Sequence, residues 1–340
     1  MTTRRAALGG LAAAIGAAAW PLPAMARPRG RAPRLQLGDT VALVAPASAA
    51  SPEEIERAQF MIKGMGLVPK LGAHAASRFG YLAGRDEERA ADLNAAFADA
   101  QVRAIFAIRG GWGGARVLPL LDWATIARNP KLFIGYSDNT ALHLAIAQRG
   151  GFASLHAPNA ASPWPKESWE SLWRLAFTGE TPVLGGAGEE PELAQGPQAR
   201  TITPGAAQGR LLGGNLTVLS TLLGTPFVPD FEGAILFLED VNEEEYRIDR
   251  MLQHLRLAGV LERLSGVVFG RCRSCASADA DYSGFTLDDL LDQHLGPLGI
   301  PVFVGANIGH HRGQLTLPHG ARVEIDADAQ SLRLLEPVAG

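Results

Sequence analysis

The sequence predicts an α/β fold, and three observations predict it. From Leu35 onward, short apolar runs that read as buried strands alternate with longer capped segments that read as helices. That alternation is the pattern of a parallel sheet covered on both faces. The 340 residues are enough for one large or two ordinary domains, and a stretch dense in Gly, Pro and Glu interrupts the alternation near its middle.

In chain order, "DTVALVAPAS" at 39–48 is the first strand and its exit loop. "SPEEIERAQFMIKGMG" at 51–66 is a helix, with a serine cap, proline at the first helical position, acids in the first turn and glycine at the end. "RDEERAADLNAAFAD" at 85–99 is a second helix, "VRAIFAI" at 102–108 the next strand and "KLFIGYS" the one after it. The Gly/Pro/Glu-rich segment 177–204 has little apolar period and reads as a linker. Beyond it come "GRLLGGNLTVLSTLLG" at 209–224, the strand "GAILFLED" at 233–240 and the helix "NEEEYRIDRMLQHLRLAG" at 242–259. The strand "GVVFG" at 266–270, the helix "TLDDLLDQHLGPLG" at 286–299 and terminal strands near 300–308 and 321–336 complete the chain. The expected architecture is an N-terminal domain over 35–176 with a parallel, Rossmann-like or flavodoxin-like sheet, and a mixed α/β domain over 205–340. In such open sheets ligands bind at the loops beyond the carboxyl ends of the strands.

The first 34 residues are processing signals rather than fold. Arg4 and Arg5 precede an apolar stretch from Ala6 to Trp20, and "PAMA" at 23–26 ends in a small-x-small pattern. This resembles a twin-arginine export signal cleaved after Ala26, which places the mature protein in the periplasm without stable membrane association. The apolar run is shorter than the roughly 20 residues that a bilayer crossing needs. "RPRGRAPR" at 27–34 is then a basic lead-in. With Lys+Arg 31 against Asp+Glu 35 and no long run of either sign, the composition argues against nucleic-acid or membrane-surface partners. Cys272 and Cys275 are too few for a closed zinc site or a disulfide scaffold and read as a loop pair open to oxidation after export. No group of His and acids has metal-ligand spacing, and no cofactor is expected.

Chemistry is suggested first by "LFIGYSDNTALH" at 132–143, in which a strand turns sharply into helix-forming residues at Ser137. A serine on such a turn has its hydroxyl raised above the sheet, where it is exposed for nucleophilic attack. The same position also suits a helix cap, and "GYSDN" lacks the second glycine of the G-x-S-x-G pattern. A nucleophilic serine needs a base. Of the eight histidines, His254 and His294 lie in helical patterns, His74 in a loop and His143 inside the helix after Ser137. "ANIGHHRGQLTLPHG" at 306–320 sets His310 and His311 at a strand end between glycines, where side chains can reach into a cleft. Glu239 ends the apolar run "AILFL", and a carboxylate terminating a buried strand needs a partner. Asp240 competes for that role, whereas Glu243, Glu244 and Glu245 read as acids at a helix N-terminus.

Five blocks, in this order and spacing, resemble the LD-carboxypeptidase family of serine peptidases, which includes the muramoyltetrapeptide carboxypeptidases. They are "AIRGGWGGARVLPLLD" at 107–122, "IGYSDNTALH", "GRLLGGNLTVLSTLLGTP" at 209–226, "LFLEDVNEEEYRIDRMLQHL" at 236–255 and "GHHRGQLTLPHG". The resemblance implies a triad of Ser137, His310 and Glu239, and an oxyanion hole formed by the amides of Asp138 and Gly111. It implies release of a terminal D-alanine from a peptidoglycan stem peptide or muropeptide, after diaminopimelate or lysine, and a homodimer. Recognition of a free carboxylate calls for a cation near the cleft, and Arg109, directly before the Gly-Gly turn, is the expected one. Trp112 stands where the family carries tyrosine and Ala157 where it often carries glycine, both facing the expected substrate cleft. Trp112 also suits stacking on a nucleotide, as in the microcin-immunity branch that cleaves acyl-sulfamoyl adenylates. A binding protein that retains the cleft without turnover is the non-enzymatic alternative.

Overall fold

The computed structural model describes residues 30–186, 198–279 and 281–340. The export signal and residues 27–29 of the basic lead-in lie outside the described residues, and the rest of the lead-in belongs to the fold, contrary to the sequence expectation: Ala32 is buried and bridges to Ala339, and Arg31 pairs with Glu336 at 2.9 Å.

The first sheet is built from β1 (Thr40–Val44), β2 (Val68–Leu71), β3 (Val102–Ala107), β4 (Leu132–Gly135) and β5 (Ser154–His156). These run parallel in the spatial order β2-β1-β3-β4-β5, which is the flavodoxin-like order. The crossover helices follow their sequence signals. In Pro52–Gly64 the Ser51 hydroxyl accepts from the Glu54 amide and the Glu54 carboxylate accepts from the Ser51 amide, a complete capping box. Asp86–Ala98 buries Ala90, Leu93 and Phe97 along one face, against the sheet. Strand order reverses between β1 and β3, and the loops leaving β1, β3 and β4 meet above that point.

The remaining strands are β6 (Val183–Gly185), β7 (Arg200–Thr203), β8 (Ala206–Asn215), β9 (Ile235–Val241), β10 (Gly266–Arg273), β11 (Val302–Val304), β12 (Leu317–His319), β13 (Arg322–Asp326) and β14 (Ser331–Leu334). All but β12 form the second sheet, ordered β6-β14-β13-β8-β9-β10-β11-β7, with β8 to β11 parallel and the flanking pairs antiparallel. Two boundaries differ from the sequence expectation. The described parts of segment 177–204 are not merely a linker, because β6 and β7 in it are the two edges of the second sheet. Edge strands tolerate the Gly- and Pro-rich composition that argued against structure there. The C-terminal segment also returns to the first unit, where β12 pairs antiparallel with β5.

The two sheets share their packing. One continuous apolar cluster joins Ala42, Phe133 and Leu142 of the first unit to Leu212, Leu236 and Phe269 of the second. The helix Thr140–Ala145, all of whose residues are buried, lies at this junction. The Thr140 hydroxyl accepts the Asn215 amide at 3.0 Å, which ties the helix after Ser137 to the end of β8. A Cβ on Gly214 would come within 2.5 Å of that hydroxyl oxygen, so glycine is what lets β8 approach so closely. The carboxyl ends of β4 and β9 are thereby held face to face.

Candidate active site

Ser137 follows β4 and has φ 66°, in the left-handed region that few non-glycine residues occupy. Such strain persists only where surrounding contacts enforce it. Here they are a stitch of amides: Asn159 Oδ1 accepts from the Tyr136 amide at 3.2 Å and from Asn139 Nδ2 at 3.0 Å, and Asn139 Nδ2 also reaches the Tyr136 carbonyl at 3.0 Å. The turn thus presents the Ser137 hydroxyl to the cleft, as the sequence predicts.

Three distant segments converge on that hydroxyl. His310 Nε2 lies 2.9 Å from Ser137 Oγ, and His310 Nδ1 lies 2.6 Å from Glu239 Oε2. A carboxylate can only accept, so Nδ1 carries the proton that it receives, and Nε2 presents its lone pair to the serine hydroxyl. Glu239, on β9, is fully buried. Burial alone would raise its pKa, but the adjacent His310, through charge and hydrogen bond, outweighs this and holds the carboxyl below its usual range. The reciprocal effect raises His310: burial disfavours the imidazolium, and Glu239 more than offsets that. The Tyr136 ring, absent from the sequence-derived site, packs 4.7 Å from the His310 ring.

Strand alternation separates Glu239 from its sequence competitor. Asp240 points the other way and is satisfied there, accepting from Asn215 Nδ2 at 2.9 Å and from the Thr217 amide and hydroxyl at 2.8 Å. This explains the "GGNLT" block, whose polar residues fix the strand end that carries Glu239. Glu244 and Glu245 sit at the start of the helix Glu245–Leu257, as expected from their dipole preference.

His143, read from sequence as a packing residue, is fully buried, with Nδ1 2.7 Å from Ser154 Oγ and Nε2 2.8 Å from the Gly135 carbonyl. With His156 and His319 it forms a layer of imidazoles beneath the cleft, their ring centroids 6.0 and 5.5 Å from that of His143, respectively. Burial pushes His143 down to about 3 and His156 down to about 4 and depresses His319 as well. All three are neutral at pH 7, so none competes with His310 as the counter-charge of Glu239.

The "RGGWGG" turn after β3 supplies the opposite wall. A Cβ on Gly110 would lie 2.9 Å from the Ser137 Cβ, so only glycine lets this backbone approach the serine. Gly111 has φ 111°, and a side chain there would strike the Ser48 hydroxyl oxygen at 2.1 Å. Ser48, in the loop that follows β1, accepts the Trp112 amide at 3.0 Å. The fully buried Asp138 carboxylate accepts the Gly114 amide at 2.6 Å, and buried Arg89 donates to the Gly113 carbonyl at 2.8 Å. Sequence reasoning missed Ser48 and Arg89, because isolated polar residues carry no local signal of what they will hold. The Asp138 amide starts a helical turn and so has no intrahelical acceptor. Gly110 is the residue of the Gly-Gly turn that lies against it, its ideal Cβ position 3.5 Å from the Asp138 amide nitrogen.

Two expected binding residues fare differently. Trp112 is 43% exposed, on the turn whose Gly110 packs against Ser137. Arg109 is corrected: its guanidinium donates to Glu54 Oε2 and to the Ala49 carbonyl, each at 3.2 Å. Bound in that way it secures the Pro52–Gly64 helix start rather than standing open for a substrate carboxylate. The cleft on the other side of His310 has a volume of about 450 Å³ and is walled by Tyr136, Ser162, Arg273, Arg312 and Gln314. Cys272 and Cys275 are joined in a disulfide beside it.

Among the described residues no cluster of His, Cys and acids has the form of a metal site. What the arrangement can do is activate an alcohol, take up a proton and stabilise an oxyanion. Comparison with known proteins gives the same direction. Residues 41–157 match the model of the LD-carboxypeptidase N-terminal domain, and residues 208–325 that of the C-terminal domain. A Bacillus subtilis protein named "Probable murein peptide carboxypeptidase" is 35% identical over 86% of this chain and 90% of its own length. The Pseudomonas aeruginosa "Murein tetrapeptide carboxypeptidase" is 31% identical over 85% and 93%. The solved muramoyltetrapeptide carboxypeptidase of Oxalobacter formigenes superimposes with a TM-score of 0.74 at 29% identity, covering 87% of this chain and 97% of that one. The microcin C7 self-immunity protein MccF superimposes with a TM-score of 0.81 at 23% identity over 92% and 100%, a likeness of fold. With both family domains matched in order, and the triad joined across them, the chain belongs to the LD-carboxypeptidase family of serine peptidases.

Proposed function

We propose that this protein is a serine LD-carboxypeptidase that releases the terminal D-alanine of peptidoglycan tetrapeptides through an acyl-enzyme. The observation that carries the reading is the unbroken hydrogen-bond relay from Ser137 through His310 to Glu239. The hydroxyl attacks the carbonyl of the L-centre of diaminopimelate or lysine while His310 Nε2 takes its proton. The Asp138 and Gly111 amides receive the developing oxyanion, each such donor being worth on the order of 3 kcal/mol of barrier. The imidazolium then protonates the leaving amine, D-alanine departs, and a water activated by the same imidazole hydrolyses the ester. Glu239 fixes the tautomer and stabilises the imidazolium without itself taking the proton.

The site of action in this reading is the periplasm, after export through a twin-arginine signal cleaved after Ala26. The Cys272–Cys275 disulfide supports it, since disulfides persist in oxidising compartments. A homodimer belongs to the same reading. Exposed Trp112 favours a second substrate class, acyl-sulfamoyl adenylates, whose base would stack on the indole.

The test is turnover of defined tetrapeptides that differ in terminal stereochemistry, with products weighed by mass spectrometry. Release of D-alanine and not of L-alanine is expected. Ser137→Ala should abolish release while leaving binding, and a fluorophosphonate should label the wild type and not the variant. Undiminished turnover by Ser137→Ala would exclude the mechanism.

A further inference from the structure

We propose that the Arg273 guanidinium is the receptor for the free terminal carboxylate of the substrate. The inference rests on the carboxypeptidase reading for the identity of the ligand. In a carboxypeptidase substrate the terminal carboxylate lies one residue, about 4 Å, beyond the attacked carbonyl. Its receptor must therefore sit on the wall that also carries the triad. Arg109 is already engaged, its Nη1 bonded to both Glu54 and Ala49.

The cleft beside His310 offers two other cations, Arg273 and Arg312, and no Asp or Glu among its lining residues. Neither arginine forms an ion pair among the described residues. Both line the cleft together with Tyr136 and His310, the two rings next to the reacting hydroxyl, and the backbone that carries each separates them. Arg273 is the better anchored. It is the last residue of β10, in register with Val241 of β9, and its carbonyl accepts the Asn242 amide at 2.9 Å. Its neighbours Cys272 and Cys275 close the turn covalently, around a left-handed Ser274 with φ 57°. The turn fixes the point from which this exposed side chain reaches the cleft, and its planar fork matches a carboxylate with two parallel hydrogen bonds.

The test measures binding apart from turnover. In a Ser137→Ala background, calorimetry compares a stem tetrapeptide ending in a free D-alanine carboxylate with the same peptide ending in its amide. The acid is expected to bind about 10-fold or more tightly, the range of a charge-assisted contact. Adding Arg273→Gln should bring the acid to the affinity of the amide, and Arg273→Lys should restore part of the difference. Arg312→Gln should leave the acid-to-amide ratio unchanged, and thermal melts confirm that each variant is folded.

A ratio near one in the Ser137→Ala protein, a ratio that survives Arg273→Gln, a ratio abolished by Arg312→Gln instead, or no measurable binding of either peptide would each overturn the assignment. Turnover separates the two readings. A wild type that binds the acid through Arg273 yet releases no D-alanine rejects the carboxypeptidase reading and leaves the receptor standing. A wild type that releases D-alanine with no Arg273-dependent preference rejects the receptor alone.

Discussion

Replacing Glu239 with glutamine tests the relay at its most buried point. The side chain is fully buried and nearly isosteric with glutamine, so the substitution removes charge with little change of volume. Two losses follow. An opposite charge about 4 Å away is worth about 4 kcal/mol at an effective dielectric near 20, which is about 10³-fold in rate. A glutamine amide facing Nδ1 would also favour the wrong imidazole tautomer, and together these correspond to the roughly 10⁴-fold loss seen for the analogous change in serine proteases. Release of D-alanine from a defined tetrapeptide should therefore show kcat down by 10³ to 10⁴-fold with KM little changed. The pH profile adds a signed expectation. In the wild type Glu239 raises His310, and the base must be neutral, so the acid limb of kcat/KM lies above the ordinary histidine value. In Glu239→Gln that cause is gone, burial dominates, and the limb should move to lower pH. A variant keeping more than a tenth of wild-type kcat, or an acid limb that stays in place, would refute the relay.

Substitutions at two further places probe the walls of the cleft. Asp138→Ala removes the acceptor of the Gly114 amide and should loosen the oxyanion turn, lowering kcat by about 10²-fold, whereas Asp138→Asn keeps an acceptor and most of the activity. Equal losses in steady-state kinetics would show that the carboxylate does not act through that bond. The double variant Cys272→Ser/Cys275→Ser should raise KM for the acid substrate several-fold at nearly constant kcat, because it frees the turn that carries Arg273. A fall in kcat with KM unchanged would place the disulfide's influence on the triad instead.

The residues show where sequence reasoning ends. Ser137, Glu239 and His310 were legible because each breaks a local rule: a serine on a strained turn, an acid ending a buried strand, a histidine between glycines. Capped helices and apolar strands were legible because their signals lie within a few residues of one another. Ser48, Arg89 and Tyr136 were not, because their partners are far along the chain. Arg109 shows the converse, since its place before the Gly-Gly turn suggested a substrate contact, whereas Glu54 of a separate helix holds it.

By itself, then, the sequence determined the α/β class, the order of elements and which side chains are chemically out of place. The tertiary structure decided that 177–204 contributes sheet edges, that β12 returns to the first sheet, that Asp240 faces away from His310, and that the guanidiniums lining the cleft are those of Arg273 and Arg312. The physical reason is range. Propensity, capping and periodicity act over about one turn of chain, whereas which polar group meets which is set by how two sheets pack, and a buried charge takes the partner that packing brings to it.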